Sequence, residues 1–274
     1  MKLCRFQPLE FSARDVSRSA HEIHPDTRAG IIEAGRVHEI HGQMWGAGER
    51  TGRSWPLDDV KLLPPSVPGK IVCVGKNYVD HAAEMGGPPP KEPILFLKPP
   101  SSITAPEDPV ILPAISNRVD YEGEIAVVIG RRCRLIPGTE DTRPYILGYT
   151  CLNDVTARDL QKRDGQWTRG KSFDTFCPFG PLLETEAPSA DAKLETFVNG
   201  VRKQSARLGE MIFSIDVIIR FVAQVMTLEP GDLIATGTPA GIGPVVAGDV
   251  MEVSIAGIGT LRNPVIGPAE SSGE

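Results

Sequence analysis

The sequence has no apolar segment long enough to cross a membrane. No stretch approaches ~18 uninterrupted apolar residues, and the start of the chain, from Met1 to Phe6, has no sustained hydrophobic region of the kind found in secretory signals. Runs of Lys and Arg are also missing, and the net charge of -6 is spread along the chain. We therefore expect a cytoplasmic protein with no membrane or nucleic-acid partner.

Cysteine is scarce. The 274 residues include five cysteines, which are far apart in sequence and form no Cys-x-x-Cys pair. This pattern favours reduced thiols in a core over a zinc site or a disulfide framework. Hydrophobic residues make up 41% of the chain and charged residues 23%, which is typical of a globular protein and argues against disorder. A chain of this length is sufficient for one large domain and a small module.

Composition also indicates where the domains divide. Residues 1–68 have the pattern of a small β-rich module, with a strand, a turn and a strand over 29–37, and they end in a stiff proline-rich connector. A larger domain over 69–266 and a polar tail over 267–274 follow. The module contains His-Glu-Ile-His twice, at 21–24 and 38–41, but a zincin helix needs histidines four apart and these are three apart. We expect ordinary surface histidines there.

Carboxylates stand at the start of a predicted buried strand between Asp120 and Gly130. The apolar run from Ile125 to Ile129 is typical of a strand buried on both faces, and alternation along it puts Asp120, Glu122 and Glu124 on one face. Like charges near a low-dielectric interior are unfavourable unless a cation or protons neutralise them, and a hard ion such as Mg2+, Mn2+ or Ca2+ prefers oxygen ligands. The alternative is an exposed, frayed strand start whose charges are solvated.

A short helix is predicted over 77–85, between a buried strand and a Gly- and Pro-rich stretch. Its spacing places His81 and Glu84 on one face, three residues apart. Glu84 could then raise the basicity of His81, so that His81 takes a proton from water. The alternatives are a solvated histidine on an exposed helix and, for the flanking glycines and prolines, either a movable lid or a static loop.

A junction carboxylate follows the strand predicted over 145–152. Asp154 precedes a helix predicted over 155–161, and at that position a carboxylate is either an N-cap or a metal ligand. Gln161 lies two turns further along the same helical face. Lys171 is predicted at the start of a strand, where it is either solvated or binds an anionic substrate oxygen.

The remaining pattern is mostly β. Asn199-Gly200 predicts a tight hairpin turn, and Ser214 is expected to cap an amphipathic helix that runs to about Leu228. A Gly-rich loop follows the strand near 232–236; it lacks the Lys-Ser/Thr of a nucleotide-binding loop, but its N–H groups and Thr238 could hold a carboxylate.

Six strings in this order, over about residues 69–266, resemble the fumarylacetoacetate hydrolase superfamily, in particular its 2-hydroxyhepta-2,4-diene-1,7-dioate isomerase and acylpyruvase-like branch. Each string alone is weak, and their order makes the resemblance specific. They are Val74-Gly75-Lys76-Asn77-Tyr78 with Asp80-His81-Ala82-Ala83-Glu84-Met85, Asp120-Tyr121-Glu122-Gly123-Glu124, Asn153-Asp154-Val155-Thr156-Ala157-Arg158-Asp159-Leu160-Gln161, Lys171-Ser172-Phe173-Asp174, Met211-Ile212-Phe213-Ser214 and Thr236-Gly237-Thr238-Pro239.

The resemblance implies a mixed, β-rich α+β fold, in which a β-roll catalytic domain follows a small β-rich module, and it implies a homodimer. It also implies one bound Mg2+, Mn2+ or Ca2+. Carried over by position, the metal ligands are Glu122, Glu124 and Asp154, the catalytic residues are His81, Glu84 and Lys171, and the substrate-binding residues are Lys76, Gln161 and Thr238. Asp120 matches no ligand position and is expected behind the ligands.

Substrates in this superfamily share a 2-oxo or 2-enol carboxylate, so the resemblance implies a small-molecule 2-oxo acid substrate. The first expectation is C–C hydrolysis of an acylpyruvate-type diketo acid, because His81 and Glu84 could activate the water that this reaction needs. The alternatives are isomerisation or decarboxylation of 2-hydroxy-diene-dioates in aromatic catabolism, and decarboxylation of oxaloacetate. An alternative of another class is a non-catalytic, metal-bound scaffold or sensor.

Overall fold

The computed structural model describes residues 1–11, 26–42, 44 and 48–268. The first His-Glu-Ile-His, at 21–24, and the end of the tail, at 269–274, lie outside the described residues. His38 lies in a strand and His41 just after it, so the second copy is not helical. None of the helices in the described ranges is long and apolar enough to span a bilayer. The strands of the N-terminal region are β1 Lys2–Pro8, β2 Arg28–Glu33, β3 Arg36–Ile40, β4 Arg50–Pro56 and β5 Val60–Leu63.

The rest of the chain is also mainly strand, which confirms the mixed, β-rich fold. Its strands are β6 Ile71–Gly75, β7 Ile94–Lys98, β8 Ile103–Thr104, β9 Val110–Ile111, β10 Val119–Tyr121, β11 Gly123–Ile129, β12 Ile146–Asn153, β13 Thr156–Ala157, β14 Cys177–Glu184, β15 Lys193–Val198, β16 Val201–Arg207, β17 Leu233–Ala235, β18 Gly243–Val245, β19 Val250–Ile255 and β20 Gly259–Ile266. The α-helices between them are α1 Val79–Glu84, α2 Arg158–Asp164, α3 Thr168–Lys171 and α4 Ile215–Val225.

Within these ranges the strands form three sheets. The largest has the order β4-β3-β2-β1-β14-β12-β11-β17-β6-β7, with β5 beside β1 and β8 beside β14. A second sheet has the order β13-β10-β18, and a third has the order β16-β15-β19-β20-β9. Because β10 and β11 belong to different sheets, the chain passes from one sheet to another at Glu122. The predicted metal ligands therefore lie where two sheets meet.

Strand β11 is buried on both faces, as its apolar sequence predicts. Ile125, Val127 and Ile129 pack in a cluster that includes the apolar face of α4, and Ala126 and Val128 pack in a second cluster on the other face. All five side chains have no measurable exposure. Burial of each larger side chain contributes about 1.5–3 kcal/mol, so β11 is a rigid base for the residues at its N-terminal end.

The N-terminal strands continue the sheet of the larger domain. Lys2 and Leu3 of β1 pair antiparallel with Glu184 and Leu183 of β14. The backbone hydrogen bonds of this pair join the two regions into one sheet, although the described residues of the N-terminal region contribute none of the side chains that line the pocket described below. The division of the chain near residue 68 stays a prediction.

Two elements near the pocket differ from the sequence prediction. The helix predicted from residue 155 begins at Arg158, because Thr156 and Ala157 pair with β10 as the short strand β13. Lys171 does not start a strand; it is the last residue of α3, and β14 begins at Cys177. Gly170 allows this arrangement, because a Cβ there would lie 2.9 Å from the backbone nitrogen of Gln161 in α2.

Other local signals are confirmed with small changes. The Ser214 hydroxyl accepts a hydrogen bond from the Val217 N–H and caps α4, while Asn199 and Gly200 both have positive φ in the hairpin turn. Helix α4 ends at Val225 and not near Leu228, because the backbone of Leu228 instead exchanges two hydrogen bonds with Cys133. All five cysteines are buried and free, in agreement with the predicted core thiols.

Candidate active site

Three buried carboxylates come together where β10, β11 and β12 meet. One oxygen from each of Glu122, Glu124 and Asp154 lies within 4.8 Å of the other two. None of the three side chains is more than 5% exposed. The exposed, frayed strand start that composition left open is therefore wrong, and so is the N-cap alternative for Asp154, whose carboxylate faces this cluster.

Backbone hydrogen bonds fix the positions of these ligand candidates. The Asp154 N–H donates to the Glu122 carbonyl at 2.8 Å, and the Glu122 N–H donates to Oδ1 of Asn153 at 2.9 Å. These bonds join the break between β10 and β11 to the end of β12. Glu124 is held from another side, because the Gly237 N–H donates to its Oε2 at 2.7 Å. The Gly-rich loop does bind a carboxylate, but the carboxylate belongs to the chain itself.

Buried cations neutralise two of the three carboxylates. Nζ of Lys171 donates to Oε2 of Glu122 at 2.8 Å and to Oδ2 of Asp154 at 2.6 Å. Nζ of Lys98 donates to the other Asp154 oxygen at 2.7 Å, and Arg158 contacts both Glu122 and Asp120. Burial would raise the pKa of Glu122, but the charges of Lys171 and Arg158 outweigh it and hold that pKa well below its ordinary value.

Asp120 joins the cluster through Arg158. Its carboxylate is fully buried and accepts hydrogen bonds from Nε of Arg158 at 2.9 Å and from Nε of Arg118 at 2.8 Å. Asp120 therefore fixes the guanidinium of Arg158, whose other nitrogens reach Glu122 and, at 2.7 Å, Oε1 of Gln161.

Glu124 is the carboxylate without a counter-ion. Among the described residues, no Lys, Arg or His nitrogen lies within 4.0 Å of it, although its side chain is buried. Burial, together with the charges of Asp154 and Glu122, raises the pKa of Glu124 well above its ordinary value. An uncompensated buried charge of this kind is neutralised either by a proton or by a cation.

The residues present fit a hard divalent ion. Carboxylate oxygens are the ligands that Mg2+, Mn2+ and Ca2+ prefer, and Glu122, Glu124 and Asp154 offer three of them at short mutual distance. Glu124, which pairs with no cation among the described residues, leaves a buried carboxylate that such an ion would neutralise.

His81 and Glu84 form the predicted pair. Nδ1 of His81 lies 3.0 Å from Oε2 of Glu84, and the imidazole is 5% exposed. Because a carboxylate only accepts hydrogen bonds, this contact requires a proton on Nδ1; in the neutral imidazole the lone pair is then on Nε2. His81 lines the same pocket as Glu122, Glu124 and Asp154.

The three predicted substrate-binding residues also line this pocket, but they differ in burial and in hydrogen-bond partners. Lys76 is half-buried in a left-handed backbone conformation, with φ of 57°, and its ammonium has no hydrogen-bond or ion-pair partner in the described part of the chain. Gln161 is buried, and its Oε1 accepts from Arg158. The Thr238 hydroxyl already uses its proton in a hydrogen bond, which it donates to the Gly123 carbonyl at 2.9 Å.

Sequence reasoning missed two features of the pocket. Lys98 ends β7 and is fully buried, but its partner Asp154 is 56 residues away, so no local pattern reveals the contact. Phe96 and Trp167 meet edge to face, with ring centroids 5.2 Å apart, and form an apolar wall. Gly75 permits this wall, because a Cβ there would lie 2.5 Å from the Trp167 ring.

Fold and site together define a β-rich protein with a buried carboxylate cluster suited to a divalent ion and an acid–base pair in the same pocket. The family model described as fumarylacetoacetate (FAA) hydrolase C-terminal matches residues 70–266, and the chain belongs to this family. A second model, described as Rv2993c-like, N-terminal, matches residues 22–65.

The relatives include enzymes with different reactions. The chain is 44% identical to 2-hydroxyhepta-2,4-diene-1,7-dioate isomerase from Mycobacterium marinum, with a TM-score of 0.85 over 98% of this chain and 100% of that structure. It is 44% identical over 217 residues to a mitochondrial oxaloacetate tautomerase, fahd2, of Xenopus laevis, covering 75% of this chain and 68% of the relative. It is 30% identical, with a TM-score of 0.77 over 98% of this chain and 100% of that one, to maleylpyruvate hydrolase from Sphingobium sp. SYK-6, whose structure contains manganese(II) and pyruvate.

Proposed function

We propose that this chain is a divalent-metal-dependent enzyme that interconverts the tautomers or double-bond isomers of a 2-oxo dicarboxylate. The observation that carries the proposal is the position of His81, which is paired with Glu84 and lies in the same pocket as the three candidate metal ligands. The names of the isomerase and tautomerase relatives, both 44% identical, support this reaction class.

Glu122, Glu124 and Asp154 would hold the ion. When bound, a divalent ion supplies Lewis-acid polarisation of the substrate's 2-oxo group and favours negative charge on its oxygen. Lys171 lies against two of these ligands and adds a fixed positive charge beside them, and its pKa is raised: burial would lower it, but Asp154 and Glu122 outweigh that effect. Lys171 therefore remains an ammonium that stabilises an anionic substrate oxygen.

His81 would move the proton. In the direction from keto to enol, Nε2 takes a proton from the carbon next to the 2-oxo group, and the imidazolium then gives that proton to the substrate oxygen or, for a double-bond isomer, to another carbon of the conjugated system; the reverse direction runs the same two steps backwards. Glu84 stabilises the imidazolium that exists between these steps, because its carboxylate accepts from Nδ1. Asp154 and Glu122 take no part in this transfer, since cations already contact both carboxylates.

Lys76 would select the second carboxylate of the substrate. Its ammonium lines the pocket and lacks a partner among the described residues, so it can pair with an anion without breaking an existing bond. The names of the isomerase and tautomerase relatives both describe dicarboxylates. A 2-oxo dicarboxylate thus presents one carboxylate beside the metal site and the other to Lys76.

Hydrolysis of an acylpyruvate-type diketo acid is the second candidate. The same His81–Glu84 pair could take a proton from water, and the maleylpyruvate hydrolase relative carries a hydrolytic name. Decarboxylation of oxaloacetate would need the metal site and Lys171 but no general base.

The test follows oxaloacetate and acetylpyruvate with the purified protein and Mg2+ or Mn2+, and identifies the products by mass spectrometry. We expect metal-dependent loss of the ultraviolet enol signal of oxaloacetate without loss of carbon. His81→Ala should slow this reaction by at least about 10^2-fold, the range of a general base, whereas the matched control His38→Ala, in strand β3, should not. Cleavage of acetylpyruvate without tautomerisation of oxaloacetate would favour a hydrolase. Release of CO2 from oxaloacetate would favour a decarboxylase, and no turnover of either compound would favour the non-catalytic scaffold.

A further inference from the structure

A line of hydrogen bonds that continues through the backbone of Gly241 connects Tyr121, the last residue of β10, with His81. The hydroxyl of Tyr121, next to Glu122, donates to the carbonyl of Gly241 at 2.9 Å. The N–H of Gly241 donates to Oε1 of Glu84 at 3.2 Å. The other carboxylate oxygen of Glu84 lies 3.0 Å from Nδ1 of His81.

The middle of this line admits only glycine. Gly241 has φ of 99°, and a Cβ there would lie 2.3 Å from the carbonyl oxygen of Lys203. Gly243 pairs with Tyr121 across β18 and β10, and a Cβ at that position would approach the Tyr121 hydroxyl to 2.9 Å. The two glycines thus let the chain lie close to Lys203 of β16 and to Tyr121, with the Gly241 carbonyl within hydrogen-bond distance of the hydroxyl.

Glu84 has few other restraints. In the described residues no Lys or Arg nitrogen lies within 4.0 Å of its carboxylate, and its side chain is 31% exposed. Helix α1 is six residues long and too short to be stable by itself, so its last residue depends on outside contacts. The start of α1 has such contacts through Asn77, which bonds the backbone of Phe213 and Thr236. The contact at its end is the bond from Gly241 to Glu84.

We propose that Tyr121 is a positioning residue for the His81–Glu84 pair and acts through the backbone of Gly241. The proposal rests on the proposed function, in which this pair transfers the proton. Tyr121 is 4% exposed and does not line the pocket, so its hydroxyl does not touch the substrate. It keeps the Glu84 carboxylate in line with Nδ1 of His81 and so keeps the lone pair of His81 directed at the substrate carbon.

The test compares Tyr121→Phe with Tyr78→Phe. Both changes remove one buried hydroxyl, but the Tyr78 hydroxyl has no hydrogen-bond partner among the described residues, so Tyr78→Phe is a matched control. We expect Tyr121→Phe to lower kcat about fivefold, the loss that one typical hydrogen bond accounts for, with KM within twofold and Mn2+ affinity unchanged. Tyr78→Phe should leave all three unchanged. Equal kcat values for the two variants would overturn the proposal.

A second readout separates positioning from a general structural role. In a Glu84→Ala background, Tyr121→Phe should cause no further loss of kcat, because the line is already broken. A multiplicative fivefold loss in that background would contradict the proposal. Thermal unfolding shows whether each variant retains the fold. If Tyr121→Phe does not fold, the fallback is hydrogen exchange of the Gly241 amide, which Glu84→Ala should speed at least about fivefold. Unchanged exchange of this amide would overturn the proposal.

Spectra of protein labelled with 15N-histidine distinguish a failure of this inference from a failure of the proposed function. The Nδ1 signal of His81, assigned with His81→Ala, should move in Tyr121→Phe and stay in place in Tyr78→Phe, whatever reaction the protein catalyses. Full activity of His81→Ala would discard the proposed proton transfer alone. An unmoved His81 signal in Tyr121→Phe would discard the positioning role alone.

Discussion

Replacement of Glu124 by Gln should stabilise the metal-free protein and abolish its response to metal. Glu124 is buried beside Glu122 and Asp154 and has no cationic partner among the described residues. Gln keeps the shape and the acceptor oxygen for the Gly237 N–H, and it removes the charge. The change therefore alters the electrostatic contribution of residue 124 to the free energy of unfolding and leaves its packing nearly the same.

The magnitude follows from the distances. Two unit charges 4.8 Å apart, the limiting separation of the ligand oxygens, repel by about 3.5 kcal/mol at an effective dielectric constant of ~20. Glu124 meets two such charges, which the cations of Lys171, Lys98 and Arg158 offset in part, and the burial of a carboxylate without a partner adds a penalty of several kcal/mol. We expect Gln to raise the free energy of unfolding of the metal-free protein by about 3 kcal/mol, which for a chain of this size is roughly 6–12 °C in Tm.

The gain should depend on pH. Because the pKa of Glu124 is raised above its ordinary value of 4.5, the unfolded chain releases this proton at lower pH than the folded protein does. Above about pH 4.5 the unfolded state therefore binds fewer protons, and the stability of the metal-free protein falls as pH rises until the raised pKa is passed. The stability difference between Glu124→Gln and the natural protein should grow over the same interval.

The assay is thermal unfolding in EDTA and in Mn2+. Mn2+ at 100 times its Kd should stabilise the natural protein by about 2.7 kcal/mol, and it should not stabilise the variant. Glu252→Gln, at a partly exposed carboxylate outside the pocket, is the control and should behave like the natural protein in both conditions. A Glu124→Gln protein that is less stable in EDTA, or that still gains stability from Mn2+, would refute the reasoning.

Three further predictions concern residues around the pocket and the assembly. Lys98→Met should weaken Mn2+ binding in calorimetry by about 10–100-fold, because Asp154 loses the ammonium that orients it; unchanged affinity would remove Lys98 from the site. Lys76→Met should raise KM for oxaloacetate at least about tenfold and leave KM for acetylpyruvate, which has no second carboxylate, within twofold; an equal rise for both would contradict the distal contact. We also predict a homodimer, from family resemblance, and a monomer across the micromolar range in sedimentation would contradict it.

The part of the site that sequence predicts is the part set by local periodicity. Two-residue alternation is enough to predict Glu122 and Glu124 on one face, and the three-residue spacing in α1 is enough to join His81 to Glu84. The break at Glu122, where the chain passes from β10 to β11 and from one sheet to another, is not visible in that alternation. The fold class follows from periodicity as well, because a mainly β pattern with few helices is visible along the chain.

The part that sequence does not predict depends on contacts between distant segments. Lys98 reaches Asp154 across 56 positions, and Trp167 packs over Gly75 from a still more distant part of the chain, so no local pattern contains either contact. The sequence predicts Lys171 at the start of a strand, but Lys171 is the last residue of α3. A helix forms there because α3 packs on α2, and this tertiary contact outweighs the local sequence preference.

The central claim is that Glu122, Glu124 and Asp154 hold one divalent ion. The most direct measurement is an anomalous difference map from crystals grown with Mn2+ and oxaloacetate. We predict one strong peak roughly 2.0–2.6 Å from an oxygen of each carboxylate, the range for hard divalent ions, with Lys171 no longer bridging Glu122 and Asp154. A map with no peak among these carboxylates, and with Lys171 still between them, would contradict the account.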